Sequence, residues 1–113
     1  MIIEQGDIVE VNVFLPSGGF KPHPAIVISN NNMFFYESAF IIVMISGTNS
    51  NDEYSFHLTN EMLTQKPKKK SQVRCHLINL VTEKDVIRKF GHIKKKYLIE
   101  VVDKIISNVL NVS

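Results

Sequence analysis

Apolar and polar positions alternate in part along residues 7–15, where Ile8, Val9, Val11, Val13 and Leu15 are apolar with Glu10 and Asn12 between. A two-residue period is that of a half-buried β-strand. Residues 25–30 predict a second strand, apolar and β-branched, entered through Pro24. Proline lacks a backbone N–H and holds φ near one value, so it suits a strand entrance. Between the two runs, residues 16–24 predict a loop carrying Pro16, Gly18, Gly19, Lys21 and His23. A loop fixed at the mouth of a rigid strand is a common place for a site, although a plain hairpin connection accounts for the same residues. Asn30-Asn31-Asn32 predicts a turn, because asparagine tolerates left-handed backbone and bonds its own chain. Residues 39–46 are continuously apolar and fit a central strand buried on both faces, or by period alone a short buried helix.

Further along, Gly47–Asp52 is a polar loop and Glu53–Leu58 alternates as a strand. Residues 59–70 predict a loop with one helical turn near Glu61-Met62-Leu63. Strands follow over Gln72–Val81 and Val86–Ile93. Residues 95–110 change period. Leu98, Val101, Val102, Ile105, Ile106, Val109 and Leu110 recur at spacings of three and four, the apolar stripe of a helix packed on a core. Short strands followed by one terminal helix predict a mainly β fold with a C-terminal α-helix: a small, strongly bent sheet or barrel closed by the helix.

Composition narrows the class. The chain has 113 residues, 44% of them hydrophobic, which suits a single domain over 1–113 able to fold without disulfides or metal. No run approaches the length of a membrane span. The start, Met1–Gly6, lacks a basic and apolar leader pattern. The single cysteine, Cys75, has no internal partner and predicts a small buried apolar residue in a reducing, cytoplasmic setting. Net charge is only +2, so charge alone does not argue for nucleic acid. Its distribution says more: Lys66, Lys68, Lys69 and Lys70 flank Pro67, and Lys94–Lys96 form a second run. Such runs are solvated faces or phosphate contacts.

The four histidines and one cysteine lack the tight pairings of a zinc site, so no metal or cofactor is expected. Neither a glycine-rich phosphate loop nor a Gly-x-Ser-x-Gly elbow is present. What remains is Val73-Arg74-Cys75-His76. Residues two apart on a strand share a face. Arginine offers a permanently charged fork of donors, and histidine as a residue type exchanges a proton near neutrality. Together they can hold a phosphate and move a proton, although the same pair also occurs on inert surfaces.

Several segments occur in a telling order: Gly6-Asp7-Ile8-Val9, then Lys21-Pro22-His23-Pro24-Ala25-Ile26-Val27-Ile28-Ser29-Asn30, then Met44-Ile45-Ser46-Gly47, then Val73-Arg74-Cys75-His76, then an amphipathic helix. This series resembles the MazF/PemK toxins, sequence-selective endoribonucleases of type II toxin–antitoxin pairs. The resemblance implies an SH3-like barrel of the MazF/PemK/CcdB kind, a homodimer, and a cognate antitoxin that blocks the RNA groove. DNA contact would be indirect, through the antitoxin. Arg74 matches the arginine of the family's Val-Arg-Cys-Asp segment, while His76 stands in place of its aspartate. His23 stands where the family has an arginine before proline. At the threonine that ends the third strand, this chain has Ile45 or Ser46, depending on register.

The activity so implied is metal-free cleavage of single-stranded mRNA through a 2′,3′-cyclic phosphate. Arg74 is the candidate charge clamp, His76 and His23 the candidate base and acid, and Ser46 the candidate hydroxyl. Lys21, Lys68, Lys69 and Lys70 are candidate phosphate contacts. Phe20 and Phe56 are candidate stacking platforms, with barrel core as the competing role for each. A weakened relative that binds RNA or a protein target such as DNA gyrase without cutting is the alternative, and an unrelated β-barrel interaction domain is a third.

Overall fold

The structure is a computed structural model that describes residues 1–15, 17–66 and 69–113. Six strands form one antiparallel sheet: β1 (Asp7–Phe14), β2 (Phe20–Val27), β3 (Ala39–Ser46), β4 (Ser55–Leu58), β5 (Ser71–Thr82) and β6 (Val86–His92). Their order across the sheet is β4-β5-β3-β2-β1-β6. Among the described residues two α-helices complete it, α1 (Asn31–Glu37) and α2 (Lys95–Asn108). The expected mainly β architecture with a terminal helix is therefore present. Neither helix is long and apolar enough to cross a membrane.

The sheet curls without closing, and the segment after β4 reaches the end of β6. Leu63, just beyond β4, bridges to Ile93, just beyond β6. Thr64 N donates to the His92 carbonyl at 3.0 Å, and Lys94 N donates to the Met62 carbonyl at 2.8 Å. Gly91 permits this approach: its φ is +109°, and a Cβ there would stand 2.6 Å from Thr64 Oγ1. Curling gives the sheet two apolar faces. On one, Ile8, Ile26, Val43, Ile45, Val73 and Cys75 pack against Leu98, Val101 and Ile105 of α2. On the other, Val9, Val11, Val13, Ala25, Phe40, Ile42 and Val81 pack together. The predicted apolar stripe of the terminal helix thus meets the face that alternation assigns to the core.

Two local expectations change. The Asn30–Asn32 turn is the start of a helix. The Asn30 side chain accepts from Met33 N at 3.0 Å, a capping bond that an isolated turn signal does not distinguish from a turn. That helix ends at Ser38, in left-handed backbone with φ 52°. The loop predicted over 16–24 is also shorter, because β2 begins at Phe20 and runs through both Pro22 and Pro24. Pairing with β3 starts only at Ala25, so the missing proline N–H groups cost no bonds on that side.

Candidate functional site

Partners directly opposite in an antiparallel ladder share a face, and successive residues alternate. Three rows therefore cross β3, β5 and β4: Ser46–Gln72–His57, Ile45–Val73–Phe56 and Met44–Arg74–Ser55. The middle row faces α2, with Ile45 and Val73 in the core and Phe56 packed against it. The outer two rows face the other way. This register resolves the Ile45/Ser46 alternative: Ile45 is core, and Ser46 lies on the face of Arg74. Met44 pairs with Ala25, and Val11 with His23, and Met44, Ala25 and Val11 all belong to the second apolar face. Alternation therefore puts His23, and Lys21 two residues before it, on that same face.

Between Val43↔Ile78 and Met44↔Arg74 the ladder breaks, leaving Cys75, His76 and Leu77 without β3 partners. Breaks of this kind bend a strand and re-aim side chains. Cys75 nevertheless points into the core with Val73, so Arg74 and His76 keep a common face. Burial pushes the Cys75 thiol up, consistent with a packing residue rather than a nucleophile.

The loop from Gly47 to Tyr54 covers this face. Asp52 accepts from Tyr54 N at 3.0 Å, a local turn that fixes its carboxylate. Arg74 Nη1 and Nη2 donate to Asp52 Oδ1 and Oδ2, each at 3.1 Å. Arg74 Nη1 also donates to Ser55 Oγ at 2.5 Å, and Ser55 Oγ donates to Asp52 Oδ1 at 3.0 Å. The hydrogen bond from Arg74 is the main reason the Asp52 carboxyl is held down to about 2. Two residues on, the Tyr54 ring lies 4.8 Å from the exposed His76 ring, tilted by 42°. One loop thus touches both the guanidinium and the imidazole.

The hydroxyls of Ser46 and Thr48 share a hydrogen bond of 2.8 Å, and Thr48 N donates to Ser46 Oγ at 3.1 Å. Gln72 Nε2 donates to the Thr48 carbonyl. Gln72 is 1% exposed, and its Oε1 has no partner among the described residues. At the other end of the loop, Asn108 Nδ2 donates to the Glu53 carbonyl at 2.7 Å.

The predicted RNA-binding residues are scattered by comparison. Phe56 packs against the core from the face opposite Arg74, because it lies in the Ile45–Val73 row. Phe20 is exposed but sits edge-on to Phe14, with a 5.4 Å centroid distance, at the far end of the β1–β2 hairpin. It lines a shallow cleft with Asn79, Leu80 and Val81, which none of Arg74, His76, His23 or Ser46 lines. Lys21, Lys69 and Lys70 are exposed. Lys68 lies outside the described residues. Sequence reasoning missed Asp52, Thr48, Tyr54, Ser55 and Gln72. The spacing of Asp52 before Ser55 hints at a turn, but its pairing with Arg74 spans 22 positions and has no local signal.

Solved structures share this architecture. The MazE–MazF complex from Deinococcus radiodurans aligns with TM-score 0.78 at 17% identity, covering 100% of both chains. MazF alone from that organism aligns with TM-score 0.77 at 15% identity, covering 98% of this chain and 99% of that one. A mycobacterial endoribonuclease in complex with its cognate antitoxin aligns with TM-score 0.76 at 12% identity, covering 98% and 97%. At such identities the likeness concerns the fold. No curated protein matches the sequence. The family model described as the PemK-like, MazF-like toxin of type II toxin–antitoxin systems matches residues 4–109, nearly the whole chain. The chain belongs to that toxin family.

Proposed function

We propose that this chain is a toxin acting as a metal-independent endoribonuclease on single-stranded RNA. The observation that carries the reading is the convergence of Arg74 and His76 on one strand face beneath one loop. In the proposed reaction the ribose 2′-OH loses its proton to a base and its oxygen attacks the adjacent phosphorus. The bond to the 5′ oxygen breaks, and that oxygen takes a proton from an acid. The products are a 2′,3′-cyclic phosphate and a 5′-OH. Arg74 stabilises the charge that develops on the non-bridging oxygens, and His76 and His23 divide the base and acid roles. Positioned proton donors and acceptors contribute about 10²–10⁴-fold, and a cationic clamp is often the largest single contribution. Ser46 supplies a hydroxyl to the same face, and Lys21, Lys69 and Lys70 supply positive charge for the backbone.

The fold family also motivates the partners. We assign the chain a homodimeric state and a cognate antitoxin, in line with the antitoxin complexes formed by the mycobacterial and Deinococcus proteins of the same fold.

The test is incubation of the purified protein with a long single-stranded RNA in chelator, with mapping of the cut ends. Discrete fragments bearing 5′-OH ends are expected. Arg74→Ala lowers kcat by about 10²–10³-fold, the loss typical of a removed transition-state donor. His76→Ala and His23→Ala each lower kcat by about 10²–10⁴-fold, the loss of a positioned acid or base. Intact RNA at large protein excess overturns the nuclease reading. That outcome selects the second reading, a binding module that does not cut. One observation favours it: the end of the Arg74 fork is already occupied by the Asp52 carboxylate.

A further inference from the structure

The occupied fork has a second edge. A guanidinium is a planar set of five N–H donors. In Arg74 both Nη1 hydrogens are engaged, by Asp52 and Ser55, and one Nη2 hydrogen is engaged by Asp52. Nε binds nothing among the described residues, and it is not sealed from solvent. The Nε and second Nη2 hydrogens lie side by side on the remaining edge. Their parallel geometry matches two oxygens of a phosphate group. Asp52 therefore does not consume the cation. It holds one end and leaves the other edge free.

Asp52 is itself held. Its carboxylate is fixed by Tyr54 N, and its loop is tied at both ends by side-chain amides from other elements. Gln72 of β5 donates to the Thr48 carbonyl, and Asn108 of α2 donates to the Glu53 carbonyl. A mobile surface loop needs no such bonds from two separate elements. A loop whose acid must aim a side chain does, since small misplacements of a reacting group cost rate steeply.

We propose that Asp52 is a positioning residue. It clamps the Nη1/Nη2 end of Arg74 so that the Nε edge faces one phosphodiester, with the loop braced by Gln72 and Asn108. This rests on the nuclease reading. Asp52 touches no substrate. It acts through Arg74.

The experiment compares Asp52→Ala and Asp52→Glu with the parent protein by two measurements. The first is side-chain nitrogen NMR of Arg74. Clamped by a carboxylate, the two Nη groups give separate signals, and these merge when Asp52→Ala frees rotation. The second is steady-state cleavage of an oligonucleotide spanning one mapped cut site. Asp52→Ala is expected to lower kcat by about 100-fold and to leave KM within about threefold, because an interaction used only in the transition state is lost. Asp52→Glu keeps a carboxylate and restores part of kcat. Asn108→Ala, at a residue bonded to the loop and not to Arg74 itself, is expected to lower kcat about fivefold, the equivalent of one hydrogen bond. It also serves if the Asp52 variants do not fold. Equal kcat in Asp52→Ala and the parent overturns the proposal, as does a lower KM with kcat maintained, which marks Asp52 as a competitor for the phosphate. Either result leaves the nuclease reading standing. Failure of the parent protein to cut any RNA removes both.

Discussion

The rows Ile45–Val73–Phe56 and Met44–Arg74–Ser55 cross the same three strands, one residue apart, and differ in almost every physical respect. The first is apolar and packed toward α2, and its stabilisation comes from area removed from water. The second sets the buried Met44 of the other apolar face beside a guanidinium held by directed bonds to a hydroxyl and a carboxylate. A sheet switches between these regimes at every residue, since a one-residue slip exchanges the two faces. The apolar row consequently fixes the register that gives the polar row its geometry. Stability lives in one, proposed chemistry in the other, and the ladder locks them together.

The largest effect that separates them comes from the apolar row. Ile45→Ala empties a buried position and is expected to cost about 2–5 kcal/mol in urea denaturation. Cleavage by the remaining folded fraction should be unchanged. A large kcat loss in the folded protein would show that the rows are not separable.

A smaller effect is expected from Gln72→Leu in the neighbouring polar row. It removes one hydrogen bond to Thr48 but also removes a buried acceptor that has no partner among the described residues. The two changes oppose each other, so stability should move by no more than about 1 kcal/mol. A much larger loss in thermal or urea unfolding would mean that Oε1 is satisfied in solution.

The smallest effect concerns acid. The Asp52 carboxyl is depressed from 3.8 to about 2 on folding, chiefly by its bond from Arg74. A depressed carboxyl contributes stability that is fully present above its unfolded value and lost as pH falls through its folded value. The parent protein should therefore lose more stability than Asp52→Asn between pH 3.8 and about 2, compared by thermal unfolding. The Asp52 side chain is 42% exposed, and solvent screening keeps the difference small. Parallel pH curves for the two proteins would contradict the ion pair.

Much of this architecture is legible along the chain. The alternation of residues 7–15 and the apolar run 39–46 correspond to β1 and β3, and the three-and-four spacing after residue 95 corresponds to α2. Local period carries that information because strand and helix each present one face to the core. The same logic paired Arg74 with His76, and it survived a ladder break because Cys75 stays in the core. It could not show that Asn30 caps a helix instead of making a turn. It could not separate Phe56 from Phe20 either, since an aromatic residue fits both a core and a stacking platform until its row is known.

The sequence by itself determined where most strands and the terminal helix lie, though not α1, and which residue types stand beside the arginine on its own strand. Those features depend on neighbours a few positions away. Only the tertiary structure decided that Asp52 meets Arg74, that Ser46 and not Ile45 joins the arginine's face, and that Asn108 reaches the loop carrying Asp52. Each of these joins residues far apart in the chain. A directed hydrogen bond needs its partner within about 3 Å, and no local pattern encodes which distant partner the curled sheet brings there.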